Sequence, residues 1–480
     1  MNWWRNAVVY GIDVRAFCDS DGDGTGDLDG VRDRLGYLEL LGVDALCLGP
    51  AAALSGRGHG PAGPWDALLD EAHRAGLRVL VDLDAGHTGT GHDWFLDAVA
   101  APAGSAERER YLFRPGRGPG GGEPPTNWHA LDGGPAWTRL PTPDRAPQVR
   151  TGPGHGDGDA GATGGEWYLH LPGTGRPDLN WANPEVWAET DRVLRSWMER
   201  GVDGLRIDLP HALHGPDGWA DDPRPAARGP LAGPDDPRVD HAVGHEVLRT
   251  IRAELDHHPD RVAIAGVDVA DPARFARYGA DGELHLAVRT DLAHCPFDAA
   301  TIRTLVDHSL VAVRAAGGTP AWTAAHPAGP RPARRLGGPH RALALTTVLL
   351  ALPGAVLFDA GDELGPVDPA PDGPDAPRAL LAWDVATEQL EDSGSTLSLH
   401  RRALELRREH PGFLACAGHD DVEWFGAPPG CLAFRRGGST LVCALNTSPE
   451  PVPLPPGDVL FTSGPAPDGR LPPDTAAWLI

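Results

Sequence analysis

The feature that most constrains this chain is a recurring couplet. A short apolar run is followed by a stretch with helical spacing, and then by another apolar run. AVVYGIDV (7–14) leads to a helix predicted over about 31–41 and to ALCLG (45–49); a helix predicted over about 64–75 leads to RVLVDLD (78–84). The alternation returns at GLRIDL (204–209), VLRTIRAELD (247–256), RVAIAGVDV (261–269) and LHLAVRTD (284–291), then at TPAWTAA (319–325), a helix over 341–352 and AVLFDAG (355–361). Strands that alternate with helices form a parallel sheet with helical crossovers, and about eight such strands predict an α/β chain with a (β/α)8 (TIM) barrel.

The rhythm breaks after the third strand. RPGRGPGGGEPP and RTGPGHGDGDAGATGG are dominated by Gly and Pro and read as an inserted subdomain. Beyond the helix SLHRRALELRREH, short strands between turns predict a small antiparallel β domain. The expected organisation is a barrel over 1–88 and 178–412, an insertion over 89–177 and a β domain over 413–480.

Composition narrows the function. The 67 acidic and 42 basic residues give a formal charge of −25, the wrong sign for a nucleic-acid partner or an anionic membrane surface. Every basic residue among the 42 is Arg, so a lysine Schiff base, and with it lysine-anchored pyridoxal phosphate, is excluded. The six cysteines form no CxxC pair; reduced thiols are expected. The start, MNWWRNAVVYGIDVRAF, lacks the pattern of a secretion signal. The long apolar run 342–358 is interrupted by Thr346, Thr347 and Pro353 and reads as a buried helix entering a strand. A cytoplasmic protein is expected. No HExxH, GxxxxGK[ST] or dinucleotide fingerprint appears, and no organic cofactor is expected.

DSDGDGTGD (19–27) sets oxygen donors at alternate positions: Asp19, Asp21, Asp23, the Thr25 carbonyl and Asp27. Such a loop suits a hard cation, and a structural calcium ion is expected there.

Several strings converge on one family. DSDGDGTGDLDGVRDRLGYLELLGVDALCLGP (19–50), WYLH (167–170), PDLNW (177–181), GVDGLRID (201–208), DELG (362–365) and LPPDTAAWL (471–479) resemble, in order, the α-glucosidases of glycoside hydrolase family 13, the α-amylase family. The resemblance implies a catalytic barrel, an inserted subdomain, a C-terminal β domain and a calcium loop remote from the chemistry. It also implies retaining chemistry, which needs a nucleophilic carboxylate and an acid about 5–5.5 Å apart.

Residue by residue, the implied site is uneven. GLRID places Asp208 at the nucleophile position, with Arg206 to keep it ionised and His211 matching the family pattern. The expected acid falls on Gly266 in AGVDV (265–269), anchored by DPARFARY (271–278). The third carboxylate falls on Ala328, or on Pro327 if the register is set by His326. Asp82 and His87 remain of the sugar-binding motif after strand three, whose Asn is Gly86. Four carboxylates stand at new rim positions, Asp13, Asp84, Asp268 and Asp359. With Asp208 they predict a strongly acidic pocket suited to a cationic or amine-bearing small molecule.

The expectation that follows is a protein that is not an ordinary glycoside hydrolase: a repurposed enzyme using carboxylate chemistry, with Asp208 central and Asp268 the relocated proton carrier. The alternatives are a noncatalytic pseudo-glycosidase serving binding or regulation, and residual glycosyl transfer from activated donors through Asp208.

Overall fold

The computed structural model describes residues 2–53, 62–140, 165–223, 232–233, 235–280, 282–326, 329–365, 379–413 and 421–480. Along the chain the first strands are β1 (Val8–Asp13), β2 (Ala45–Ala53) and β3 (Arg78–Asp84). Three short strands follow, β4 (Phe113–Pro115), β5 (Trp137–Arg139) and β6 (Glu166–Leu169), and form a separate antiparallel sheet in the order β4–β6–β5. The main sheet resumes with β7 (Gly204–Ile207), β8 (Val262–Val267), β9 (Leu286–Arg289), β10 (Ala321–Thr323) and β11 (Ala355–Asp359). Its eight strands run β1–β2–β3–β7–β8–β9–β10–β11, and β11 pairs with β1 to close a parallel barrel.

The period of two along each strand explains both core and site. Val9, Ala45, Cys47, Leu80, Val262, Ile264, Leu286 and Val288 form one buried apolar cluster. Two residues further along the same strand faces come Gly11, Gly49, Asp82, Gly266 and, from Leu357, Asp359. The barrel is therefore apolar at its N-terminal end and polar at the C-terminal end, where this fold builds its sites.

The helix predicted over 31–41 is two helices, Leu28–Asp33 and Leu35–Leu41. Asp27 accepts the Gly30 N–H and starts the first a turn early, while Arg34, at φ −106° and ψ 6°, interrupts the run. The long apolar run is a helix, Pro339–Ala351, leading into β11. Residues 342–351 are all buried. One reason is the C-terminal sheet, whose Trp478 Nε1 donates to the Thr347 carbonyl at 3.1 Å. That sheet is antiparallel and orders Val422–Trp424, Cys431–Arg436, Val442–Asn446, Thr475–Leu479 and Val459–Thr462. Among the described residues no helix is long and apolar enough to cross a membrane. Cys18, Cys47, Cys295, Cys431 and Cys443 are unpaired thiols; Cys416 lies outside the described residues.

Candidate active site at the barrel mouth

β3 and β7 pair so that Asp82 stands directly opposite Arg206. The Arg206 guanidinium donates to Asp82 Oδ2 at 2.5 Å, and Cys47 Sγ approaches Asp82 Oδ1 at 3.4 Å. The strand register thus gives the Arg206 hydrogen bond to Asp82, where the sequence suggests Asp208 as its partner. Space for this pair comes from Gly49, where a Cβ would stand 1.9 Å from Asp82 Oδ2.

One step further toward the mouth, Asp84, Asp208 and His87 bring ligand-type atoms within 4.8 Å of one another. Burial, and then the charges of Asp208 and Asp82, push the Asp84 carboxyl up to about 8, against the pull of Arg176 and Arg206. Burial lowers His87 to about 4, with Asp208 opposing, so its imidazole is neutral at pH 7. Asp208 is followed by Leu209, a non-glycine residue at φ 42°. That conformation costs about 1–3 kcal/mol and persists where surrounding structure enforces it, as at active sites.

Across the mouth, Asp268 follows β8. His326 Nε2 lies 3.2 Å from its Oδ2, and His211 Nε2 lies 3.9 Å from the same oxygen. Burial works against the Asp268 charge, yet the His326 hydrogen bond and the two histidines outweigh it and hold the carboxyl well below the usual range. Asp268 is thus held as a carboxylate, an acceptor, by its imidazole neighbours. Gly266 sits behind it in open surroundings: a Cβ there would meet only the Thr290 methyl, at 3.5 Å.

The remaining rim residues separate. Asp13 accepts from the Arg15 backbone N–H at 3.2 Å and pairs with the Arg15 side chain at 3.4 Å. Asp359 occupies the room left by Gly11, where a Cβ would lie 2.6 Å from its Oδ1, and its charge acts on Arg206. At Gly86 a Cβ would press on Leu213 Cδ2 at 3.1 Å. Ala328 and Pro327 lie outside the described residues. Several of these carboxyls have local partners: Asp82 has Arg206, Asp268 has His326 and Asp13 has Arg15, while burial and neighbouring charge favour a proton on Asp84.

In the loop after β1, Asp19, Asp21 and Asp27 bring carboxylate oxygens within 4.8 Å of one another. Asp19 accepts the Gly22 and Gly24 N–H groups at 2.7 and 2.8 Å, which holds the loop closed. Asp23 instead accepts the Thr25 N–H at 2.7 Å, so it is not one of the three gathered carboxylates. Three carboxylates on one tight loop fit a hard cation.

Sequence reasoning missed His294. It lies beyond β9 at the end of the 3-10 turn Asp291–Ala293, and its ring sits tilted against that of His326, with ring centroids 4.9 Å apart. A search of every barrel-strand end for imidazoles would have found it.

With this geometry in place, comparisons with known proteins are informative. A family model described as "Alpha amylase, catalytic domain" matches residues 12–400, and a domain of unknown function, DUF3459, matches 417–478. An oligo-1,6-glucosidase of Parageobacillus thermoglucosidasius is 34% identical over 221 residues, covering 43% of this chain and 35% of that protein. A trehalose-6-phosphate hydrolase of Escherichia coli is 34% identical over 226 residues, covering 44% and 36%. The aligned part thus spans little more than a third of those relatives. Among solved structures, an alpha-glucosyl transfer enzyme, XgtA, superposes with a TM-score of 0.81 at 26% identity, covering all of both chains. The trehalulose synthase MutB of Pseudomonas mesoacidophila matches in fold, with a TM-score of 0.80 at 22% identity over 99% of each chain. These findings overturn the expectation of a repurposed or noncatalytic protein. Those relatives are named as enzymes that hydrolyse or transfer sugars, not as proteins of an unrelated small-molecule chemistry.

Proposed function

The chain belongs to the alpha-amylase family, and from that premise we propose that it is a carbohydrate-processing enzyme that cleaves or transfers α-glucosidic bonds at the barrel mouth, with Asp208 as nucleophile and Asp84 as its proton-bearing partner. The supporting observation is that these two carboxyl groups meet at one place in the barrel mouth, with an oxygen of each within 4.8 Å of the other, as a retaining enzyme needs two carboxyl groups at one scissile bond. Asp208 attacks the anomeric carbon while the departing glycosidic oxygen takes the Asp84 proton. Water or an acceptor hydroxyl then displaces Asp208 from the glycosyl ester and returns a proton to Asp84. His87, neutral and adjacent, is a hydrogen-bonding partner for sugar hydroxyls.

The test is turnover of maltose, isomaltose, trehalose 6-phosphate and sucrose, followed by chromatography of products. Glucose release or glucosyl transfer is expected on at least one of them. D208N is expected to lose about 10³-fold or more, and D84N about 10²–10³-fold. Failure on every α-glucoside, or full activity in folded D208N, would overturn the reading.

We also propose that Asp19, Asp21 and Asp27 hold calcium as a structural ion. Chelation with EGTA is expected to lower Tm by a few degrees, with calcium restoring it; an unchanged Tm would exclude a structural role.

A further inference from the structure

Three consecutive barrel strands each deliver one metal-ligating side chain to the same place. Asp268 follows β8, His294 follows β9 and His326 follows β10. We propose that these three residues bind a divalent transition-metal ion, at a site separate from the calcium loop and independent of the catalytic assignment above.

Geometry supports this first. The three ligand atoms lie within 4.8 Å of one another, and Asp268 Oδ2 and His326 Nε2 are 3.2 Å apart. A metal with ligand bonds of about 2.0–2.2 Å places neighbouring ligand atoms about 3.0–3.5 Å apart. One edge of the polyhedron is therefore already set. Small side-chain rotations of His294 would close the other two.

Hydrogen bonding supports it second. Asp268 Oδ1 and His294 Nε2 are both buried from solvent and make no hydrogen bond of ordinary geometry; the Thr290 hydroxyl, which helps to favour the Asp268 charge, donates to the Val267 carbonyl at 3.2 Å. Buried polar atoms in folded proteins are almost always satisfied, so two unsatisfied atoms on one three-residue cluster require a reason. An ion pair between Asp268 and His326 satisfies neither of them. A cation bound by His326, by His294 Nε2 and by both oxygens of the Asp268 carboxylate accounts for both atoms.

The donor set then selects the ion. Two imidazoles and one carboxylate suit Zn(II), Co(II), Ni(II) or Fe(II), whereas Ca(II) and Mg(II) prefer all-oxygen sites. Three protein ligands leave coordination positions open to water or to a ligand hydroxyl. His211, 3.9 Å from Asp268 Oδ2, lies where it would orient that carboxylate rather than complete the set. The charges of Asp208 and Asp359 act on His326, so the ion would border the carboxyl pair of the active site.

The experiment titrates Co(II) into chelator-treated full-length protein, with millimolar calcium present to fill the acidic loop. Visible absorption and calorimetry are read together. One equivalent of Co(II) with visible ligand-field bands is expected. H294A and H326A are each expected to weaken binding at least tenfold, while H257A, at an exposed helix end, leaves it unchanged. If H294A does not fold by circular dichroism, His294→Gln is read by the same criteria. Absence of the bands, or wild-type affinity in the His294 and His326 variants, would overturn the site.

Discussion

At the ends of β3 and β7, Asp82 and Asp84 lie beside another carboxylate and a half-buried arginine; at the end of β8, Asp268 lies among histidines. The residue type and the position on the barrel are the same. Burial pushes Asp82 and Asp84 up and the Asp208 charge adds to both, but Arg206 pulls Asp82 back by charge and hydrogen bond, while Asp84, without that bond, reaches about 8. Equal burial fails to raise Asp268, since His326 and His211 stabilise the charged form. Which proton a strand-end carboxyl holds is decided by its neighbours in the barrel, not by its place in the strand.

Breaking the β3–β7 side should cost most. Arg206→Met strands the Asp82 carboxylate in a poorly hydrated site, and a loss of about 3 kcal/mol is expected in denaturant unfolding. A loss under about 1 kcal/mol would show that the pair is solvated. Crowding the same pair comes next. Gly49→Ala drives a Cβ to 1.9 Å from Asp82 Oδ2, and about 2 kcal/mol of destabilisation is expected.

The proton on Asp84 sets a smaller and pH-dependent effect. Its folded value of about 8 stands above the ordinary 3.8, so between these values the folded chain holds a proton that the unfolded chain has released. Asp84's contribution to stability therefore falls as pH rises through that window and levels off above about 8. The rate should fall about tenfold per pH unit above that same point, as the donor is lost. Asp84→Asn should leave a slower enzyme without that limb; a limb that survives the substitution would move the donor elsewhere. Smallest of all is Gly266→Ala on the opposite side, where only the Thr290 methyl is met at 3.5 Å. A change within about 0.5 kcal/mol is expected, and a larger one would mean that this side is as tightly packed as the other.

Much of the site was legible before folding was considered. GLRID and DLDAGH identified Asp208, Arg206, Asp82, Asp84 and His87, and the acidic loop was visible as DSDGDGTGD. The partnerships were not legible. Arg206 is two residues from Asp208 and 124 from Asp82, yet the register of two parallel strands gives it to Asp82. His294 went unnoticed because nothing near it in the chain marks it; its significance comes from β8 and β10 lying on either side of β9.

The sequence by itself determined the barrel, because strand-length apolar runs alternating with helices can bury their faces in few other ways, and it determined which chemical groups stand at the strand ends. Only the closed barrel decided how those groups pair. Proton affinity depends on burial and on charges a few ångströms away, and those distances are set by strands that are far apart in the chain.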